Sequence, residues 1–298
     1  MKRNHQLKWH PAHTSGTDFQ GKQVAVIGGT GGIGRALSLY LAARGARVLV
    51  VGQTFRDAGV AGIEFMQADL SLMRQAHSVA KRLPAESLDL VIFTAGIFAG
   101  PVRQETAEGI ERDMAVSFLN RMVILNAVAP RLGTQRVDPS GKPRVFVVGY
   151  PGSGQIGSPD DLNAEKSYKA MAAHMNTVAG NEMLVLDAAR QYPGIAIFGL
   201  NPGLIKTNIR DNLLGGGSLK SRVIEGLIGL MTPTADQYAQ RMGPLLASPD
   251  IDVHSGALFN NKAQAILPTP GLNREYTERF MAASWGLVAR AGISALAA

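Results

Sequence analysis

The sequence predicts one large α/β domain, or at most two small ones, built on a doubly wound parallel sheet. Three observations predict it. Short apolar runs rich in β-branched residues alternate with helical stretches. Glycines crowd the first strand-to-helix turn. The chain has 298 residues, 46% of them hydrophobic and 18% charged, which is enough to bury a sizeable core.

The elements follow in order. Gln23 to Ile27 is a short apolar run that reads as a buried strand. After the glycines, Arg35 to Arg44 has helical periodicity and Gly45 ends it as a C-cap. Ala46 to Val51 and Ile63 to Met66 read as the second and third strands, and Leu72 to Leu83 as helix. Asp89 to Phe93 is a fourth strand, followed by a long helical region from Glu105 to Leu132. Val145 to Val148, a helix over Ser167 to Tyr192, and Ile195 to Leu200 complete the alternation. No repeat, low-complexity tract or linker interrupts it; Gly215 to Gly217 reads as a loop hinge.

Composition removes several function classes. Cysteine is absent, so disulfide scaffolds, cysteine nucleophiles and thiolate metal sites are excluded. The net charge of +7 suits phosphate-bearing ligands. Its basic residues are scattered, however, and no nucleic-acid stripe emerges. The polar N-terminus lacks an apolar signal core, and no apolar run is long enough to span a membrane. A cytoplasmic protein is expected. The apolar stretch from Phe280 to Ala298 reads as a helix packed on the core or on a second subunit, with a weak membrane-surface anchor as the rival reading. No histidine pair has metal-ligand spacing beside a carboxylate, so no metal is expected.

The first turn reads Ile27-Gly-Gly-Thr-Gly-Gly-Ile-Gly34-Arg35. Glycines there let the backbone approach a pyrophosphate, and the helix behind supplies free N–H groups and a positive dipole end. The spacing of Gly28, Gly32 and Gly34 resembles the short-chain dehydrogenase/reductase family, whose fold is Rossmann-like. The resemblance continues in order over residues 20 to 262. Asp69-Leu70 looks like the family's adenine-binding Asp. Thr94-Ala95-Gly96 looks like its Asn-Ala-Gly motif, with Thr in place of Asn. Asn201-Pro202-Gly203 and Thr207 look like its Pro-Gly…Thr element near the nicotinamide. The resemblance implies a tail over 1–20, a dinucleotide-binding domain over 21–265 with an apolar substrate lid at 208–232, and a C-terminal extension over 266–298. It also implies a small-molecule substrate, a lipophilic one given the apolar lid, and a homo-oligomer.

The second strand ends Gly52-Gln53-Thr54-Phe55-Arg56, with no acid until Asp57. An acid at that end would hold the ribose 2′-OH of NAD and repel a 2′-phosphate, so NADP is expected over NAD, with Arg35 and Arg56 as phosphate partners. Thr30, Ile33 and Gln53 complete the expected nucleotide contacts.

The family's chemistry uses Tyr and Lys four apart on the long helix, a Ser after the fifth strand and an Asn on the preceding helix. No tyrosine here has Lys at i+4. Resemblance to the retinol-dehydrogenase-like branch puts His174 at the Tyr position and Val178 at the Lys position. Gly149 or Tyr150 falls at the Ser position and Ser117 at the Asn position. His174, Thr177 and Asn181 share one helix face. That stripe reads either as hydrogen-bonded structure or as a substitute acid–base centre in which His174 exchanges the proton and Tyr150 donates a hydrogen bond. The expected function is thus an oxidoreductase for a carbonyl or alcohol with non-standard catalytic residues. An inactive NADP(H)-sensing module, and a non-redox enzyme on the same scaffold, are the rival readings.

Overall fold

The computed structural model describes residues 1–11, 18–98, 100–205 and 233–295. Its strands are β1 (Gln23–Ile27), β2 (Arg47–Gly52), β3 (Ile63–Gln67), β4 (Leu90–Phe93), β5 (Arg144–Val148), β6 (Ala196–Leu200), β7 (Leu258–Phe259) and β8 (Ala265–Ile266). They form one eight-stranded sheet in the order β3-β2-β1-β4-β5-β6-β7-β8. Every pairing is parallel except the last, between β7 and β8. The helices are α1 (Gly32–Ala42), α2 (Met73–Arg82), α3 (Arg112–Met114), α4 (Asn120–Val128), α5 (Ala170–Gln191), α6 (Ala235–Ala247) and α7 (Arg274–Val288).

Continuous apolar runs make sense in this sheet because both faces are buried. Ala25 and Ile27 of β1, with Val91 and Phe93 of β4, face a core shared with α2, α4, α5 and α7. Their neighbours Val24, Val26, Leu90 and Ile92 face the opposite core, shared with α1 and α6. Successive strand residues thus feed the two layers alternately.

The expected helix from Glu105 to Leu132 is shorter and interrupted. Glu105 and Glu111 bridge across a turn in which Gly109 takes φ +71°. The Glu111 side chain then caps α3 by accepting from the backbone N–H groups of Asp113 and Met114. Between α3 and α4 the chain widens into a π-helical turn, Ala115–Leu119. Asn120 sustains it by donating its amide to the carbonyls of Ala115 and Val116. Pro130 closes the run in a short 3₁₀ turn.

The apolar C-terminal stretch forms α7 and packs on this chain's own core, with Phe280, Leu287 and Val288 buried. Phe280 meets Phe118 edge-on at 6.0 Å. At the other end of the chain, Asn4 N–H bonds the Ala265 carbonyl at 2.9 Å and Leu267 N–H bonds that of Lys2 at 2.9 Å. Residues 2–4 thereby cover the free edge of β8. Among the described residues no helix is long and apolar enough to cross a membrane.

Candidate active site

The sheet order reverses between β1 and β4, and in open α/β sheets such a reversal makes the crevice outside the carboxyl ends of the strands the place for a ligand. Gly28 lies there at φ +94°, and a Cβ on it would collide with the Ala95 backbone. Only glycine lets the turn pass so close to β4. Thr94 N–H and Ala95 N–H both bond the Ile27 carbonyl, at 2.8 and 3.0 Å, fixing that wall. Helix α1 starts behind an extended, exposed Gly31 with no side-chain cap and no acid in its first turn. The open N–H groups of Gly32, Ile33 and Gly34 make a cradle suited to a pyrophosphate. The Thr30 side chain packs against Gly52, and Gly96 faces Ser117 and Arg121.

Beyond the cradle, Asp69 accepts from Ser71 N–H at 2.9 Å. Burial raises its carboxyl, but hydrogen bonds from Ser71 and Gln53 outweigh this and leave it below the ordinary carboxylate range. Gln53 and Asp69 thus meet across the ends of β2 and β3, beside Leu70, which is buried. Arg35 does not stand free. Its Nε and Nη2 reach Asp57, Nη2 at 2.6 Å from Oδ1, and the Asp57 carboxylate is buried. Arg56 is exposed.

On the substrate side, His174 Nδ1 lies 2.8 Å from Asp113 Oδ2. The second carboxylate oxygen accepts from Ser117 Oγ at 2.5 Å, and Ser117 Oγ accepts from Ile97 N–H at 3.0 Å. Asp113 is fully buried, and the His174 side chain is 17% exposed. Phe98 stacks on the imidazole with ring centroids 3.8 Å apart. Tyr150, the second residue after β5, holds φ +61°, a left-handed conformation costly for a non-glycine residue. Its neighbour Gly149 packs so tightly on α5 that a Cβ would stand 2.5 Å from Asn181 Cβ.

Two side chains tie these pieces together. The Asn181 amide donates to the Ser117 carbonyl at 2.8 Å. Arg121, wholly buried, donates to Val148 O at 2.7 Å, to Asn181 Oδ1 at 2.9 Å and to Ala95 O. Burial pushes this guanidinium down to about 9, against the pull of Asp113. The polar stripe on α5 thus faces the α3–α4 segment: Thr177 caps back onto the His174 carbonyl, Asn181 meets Ser117 and Arg121, and His174 meets Asp113.

Sequence reasoning missed Asp113, Phe98 and Arg121. Asp113 lies four residues before Ser117, and that helical spacing was the available signal. After β6, Asn201 anchors Gly203 N–H at 3.0 Å and reaches the Pro151 carbonyl at 2.6 Å, placing Pro202 and Gly203 beside the loop that carries Tyr150. Thr207 and the expected lid at 208–232 lie outside the described residues. Among the described residues no three His, Asp or Glu side chains converge as a metal site.

Known proteins match this architecture. The short chain dehydrogenase family profile matches residues 22–140. An uncharacterized oxidoreductase of Saccharomyces cerevisiae is 50% identical over 294 residues, covering 97% of this chain and 95% of that protein. Retinol dehydrogenase 14 of Homo sapiens is 26% identical over 285 residues, covering 84% of this chain and 81% of that protein. The crystal structure of a short chain dehydrogenase from Salmonella enterica serovar Typhi superposes with a TM-score of 0.61 at 18% identity, covering 84% of this chain and all of that one. With the glycine turn at the sheet's reversal point and a near full-length relative at this identity, the chain belongs to the short-chain dehydrogenase/reductase family.

Proposed function

We propose that the chain is an NADP(H)-dependent oxidoreductase that interconverts a lipophilic carbonyl compound and its alcohol, with His174 as the acid–base group. The observation behind the cofactor is the glycine cradle, where Gly28 leaves room only for backbone and α1 presents uncapped N–H groups. Pro202 and Gly203 would face the nicotinamide end. NADP is favoured over NAD because Gln53, not an acid, follows β2. Arg56 is exposed, and Arg35 keeps Nη1 free of Asp57 for a 2′-phosphate. When bound, NADPH supplies the hydride.

The side chains manage the proton. His174 offers the ring edge not held by Asp113, and Tyr150 donates a hydrogen bond to the same substrate oxygen. Ser117 braces Asp113. Exposed Met171, one turn before His174, and exposed Val102 and Leu204, on the loops after β4 and β6, favour an apolar substrate.

Parallel calorimetric titrations with NADPH and NADH test the cofactor. NADPH is expected to bind at least about tenfold tighter, and Arg35→Ala to erase the difference. NADPH oxidation is then followed against a panel of apolar aldehydes, ketones and quinones. His174→Ala should lower turnover by about 10²–10⁴-fold with NADPH affinity intact. Binding without turnover across the panel would leave nucleotide sensing as the function. Binding of neither nucleotide would remove the reading altogether.

A further inference from the structure

We propose that Asp113 is a positioning residue that locks His174 in the Nδ1–H tautomer, making Nε2 the atom that exchanges a proton with substrate. This rests on the reading of His174 as the acid–base group. An ionised carboxylate only accepts hydrogen bonds. One Asp113 oxygen already accepts from Ser117 Oγ, so the 2.8 Å contact from the other requires the proton on His174 Nδ1. Asp113 is fully buried, and a buried carboxylate is held by its partners rather than by water. Ile97 N–H holds the Ser117 oxygen in place beside the carboxylate. Phe98 covers one face of the imidazole. The remaining edge carries Nε2. Val178, at the position where the resemblance puts the family's lysine, carries no charge, and the Asp113 carboxylate takes over the work of orienting the acid–base group.

In the reducing direction the carbonyl carbon gains a hydride from NADPH and its oxygen gains the Nε2 proton of the imidazolium. The neutral ring is left with its proton on Nδ1, still bonded to Asp113. The alcohol-oxidising direction returns that proton to Nε2.

Nitrogen-15 NMR of the histidine side chains in the full chain tests this, with the His174 signals assigned by their loss in His174→Gln. Above neutral pH, Nδ1 should be protonated and Nε2 unprotonated, the inverse of the preference of free imidazole side chains. In Asp113→Ala that preference should disappear. Asp113→Asn, which keeps the shape, should lower kcat by about 10²-fold with KM and NADPH affinity unchanged. An Nε2–H tautomer in the unaltered protein, or an unchanged tautomer in Asp113→Ala, would overturn the proposal. If the tautomer is as stated but His174→Gln turns over normally, the acid–base reading fails while the Asp113–His174 lock stands as structure alone.

Discussion

Arg121 Nη1 donates to Asn181 Oδ1 at 2.9 Å while the same guanidinium holds the carbonyls of Ala95 and Val148. One side chain on α4 therefore fixes the ends of β4 and β5 and the middle of α5, the three elements that frame the crevice. Arg121→Met would leave these buried acceptors unpaired. Each such group costs about 1–3 kcal/mol, so a total loss of about 3 kcal/mol or more is expected in chemical denaturation. Arg121→Lys should recover little, because an ammonium cannot present the planar fork. An unchanged midpoint for Arg121→Met would mean that the carbonyls find other partners.

Restoring a serine directly after β5 should not rebuild the family's usual site at Gly149. A Cβ there would stand 2.5 Å from Asn181 Cβ, so either Gly149→Ser or Gly149→Ala must push α5 away. Overpacking of this kind costs about 1–3 kcal/mol. Because Asn181 also binds Ser117 and Arg121, turnover should fall along with the denaturation midpoint. A stable, fully active Gly149→Ser would show that this packing is looser than the structure gives.

Strands β1, β2, β4, β5 and β6 were legible to within about a residue because they are buried on both faces and read as apolar runs, and edge strand β3 was legible from Ile63, Phe65 and Met66 although Glu64 and Gln67 are exposed. The two-residue strands β7 and β8 were not, since two residues have no period. Glu105 to Leu132 looked helical throughout. The turn at Gly109 and the cap by Glu111 depend on a bridge between Glu105 and Glu111 that no helical period reveals. In the site, the His174, Thr177 and Asn181 stripe was visible from spacing alone. Asp113 was not singled out, because carboxylates are seldom buried unless paired, and its partner is sixty-one positions away. The Arg35–Asp57 pair was hidden for the same reason: the contact crosses β2 and leaves no local sign.

Tyr150 combines backbone strain with a proposed role, and the two can be separated. At φ +61° a non-glycine residue pays about 1–2 kcal/mol that glycine avoids. Tyr150→Gly should therefore raise the unfolding free energy by up to about 1 kcal/mol, part of the gain being lost to the freer unfolded chain. Turnover should fall about tenfold or more if the phenol bonds the substrate oxygen. Tyr150→Asn tolerates the same conformation and should match the glycine variant in activity without its unfolded-state entropy. A Tyr150→Gly protein that is both more stable and fully active would assign the strain to neither catalysis nor binding.

Tyr238, on α6, is buried and its hydroxyl has no hydrogen-bond partner among the described residues. Burial pushes its phenol well above the ordinary value, and burial also raises Tyr40, Tyr168 and Tyr192. The sign follows from linkage. With the folded pKa above the unfolded one, the contribution of each tyrosine is complete below about pH 10, where the unfolded phenol is still neutral. It is lost as the pH rises further, because the unfolded chain ionises first. Stability should therefore fall above about pH 10, most steeply through the fully buried Tyr238, by up to about 1.4 kcal/mol per pH unit, with smaller shares from Tyr40, Tyr168 and Tyr192, whose phenols are screened by solvent. Tyr238→Phe should flatten that slope by about one tyrosine's share. It should also stabilise the protein at neutral pH by about 1 kcal/mol, because a buried unsatisfied hydroxyl is removed with little change of shape. Denaturant midpoints for both proteins from pH 7 to about pH 11 check both claims. A Tyr238→Phe protein less stable at neutral pH would show that the hydroxyl is satisfied after all.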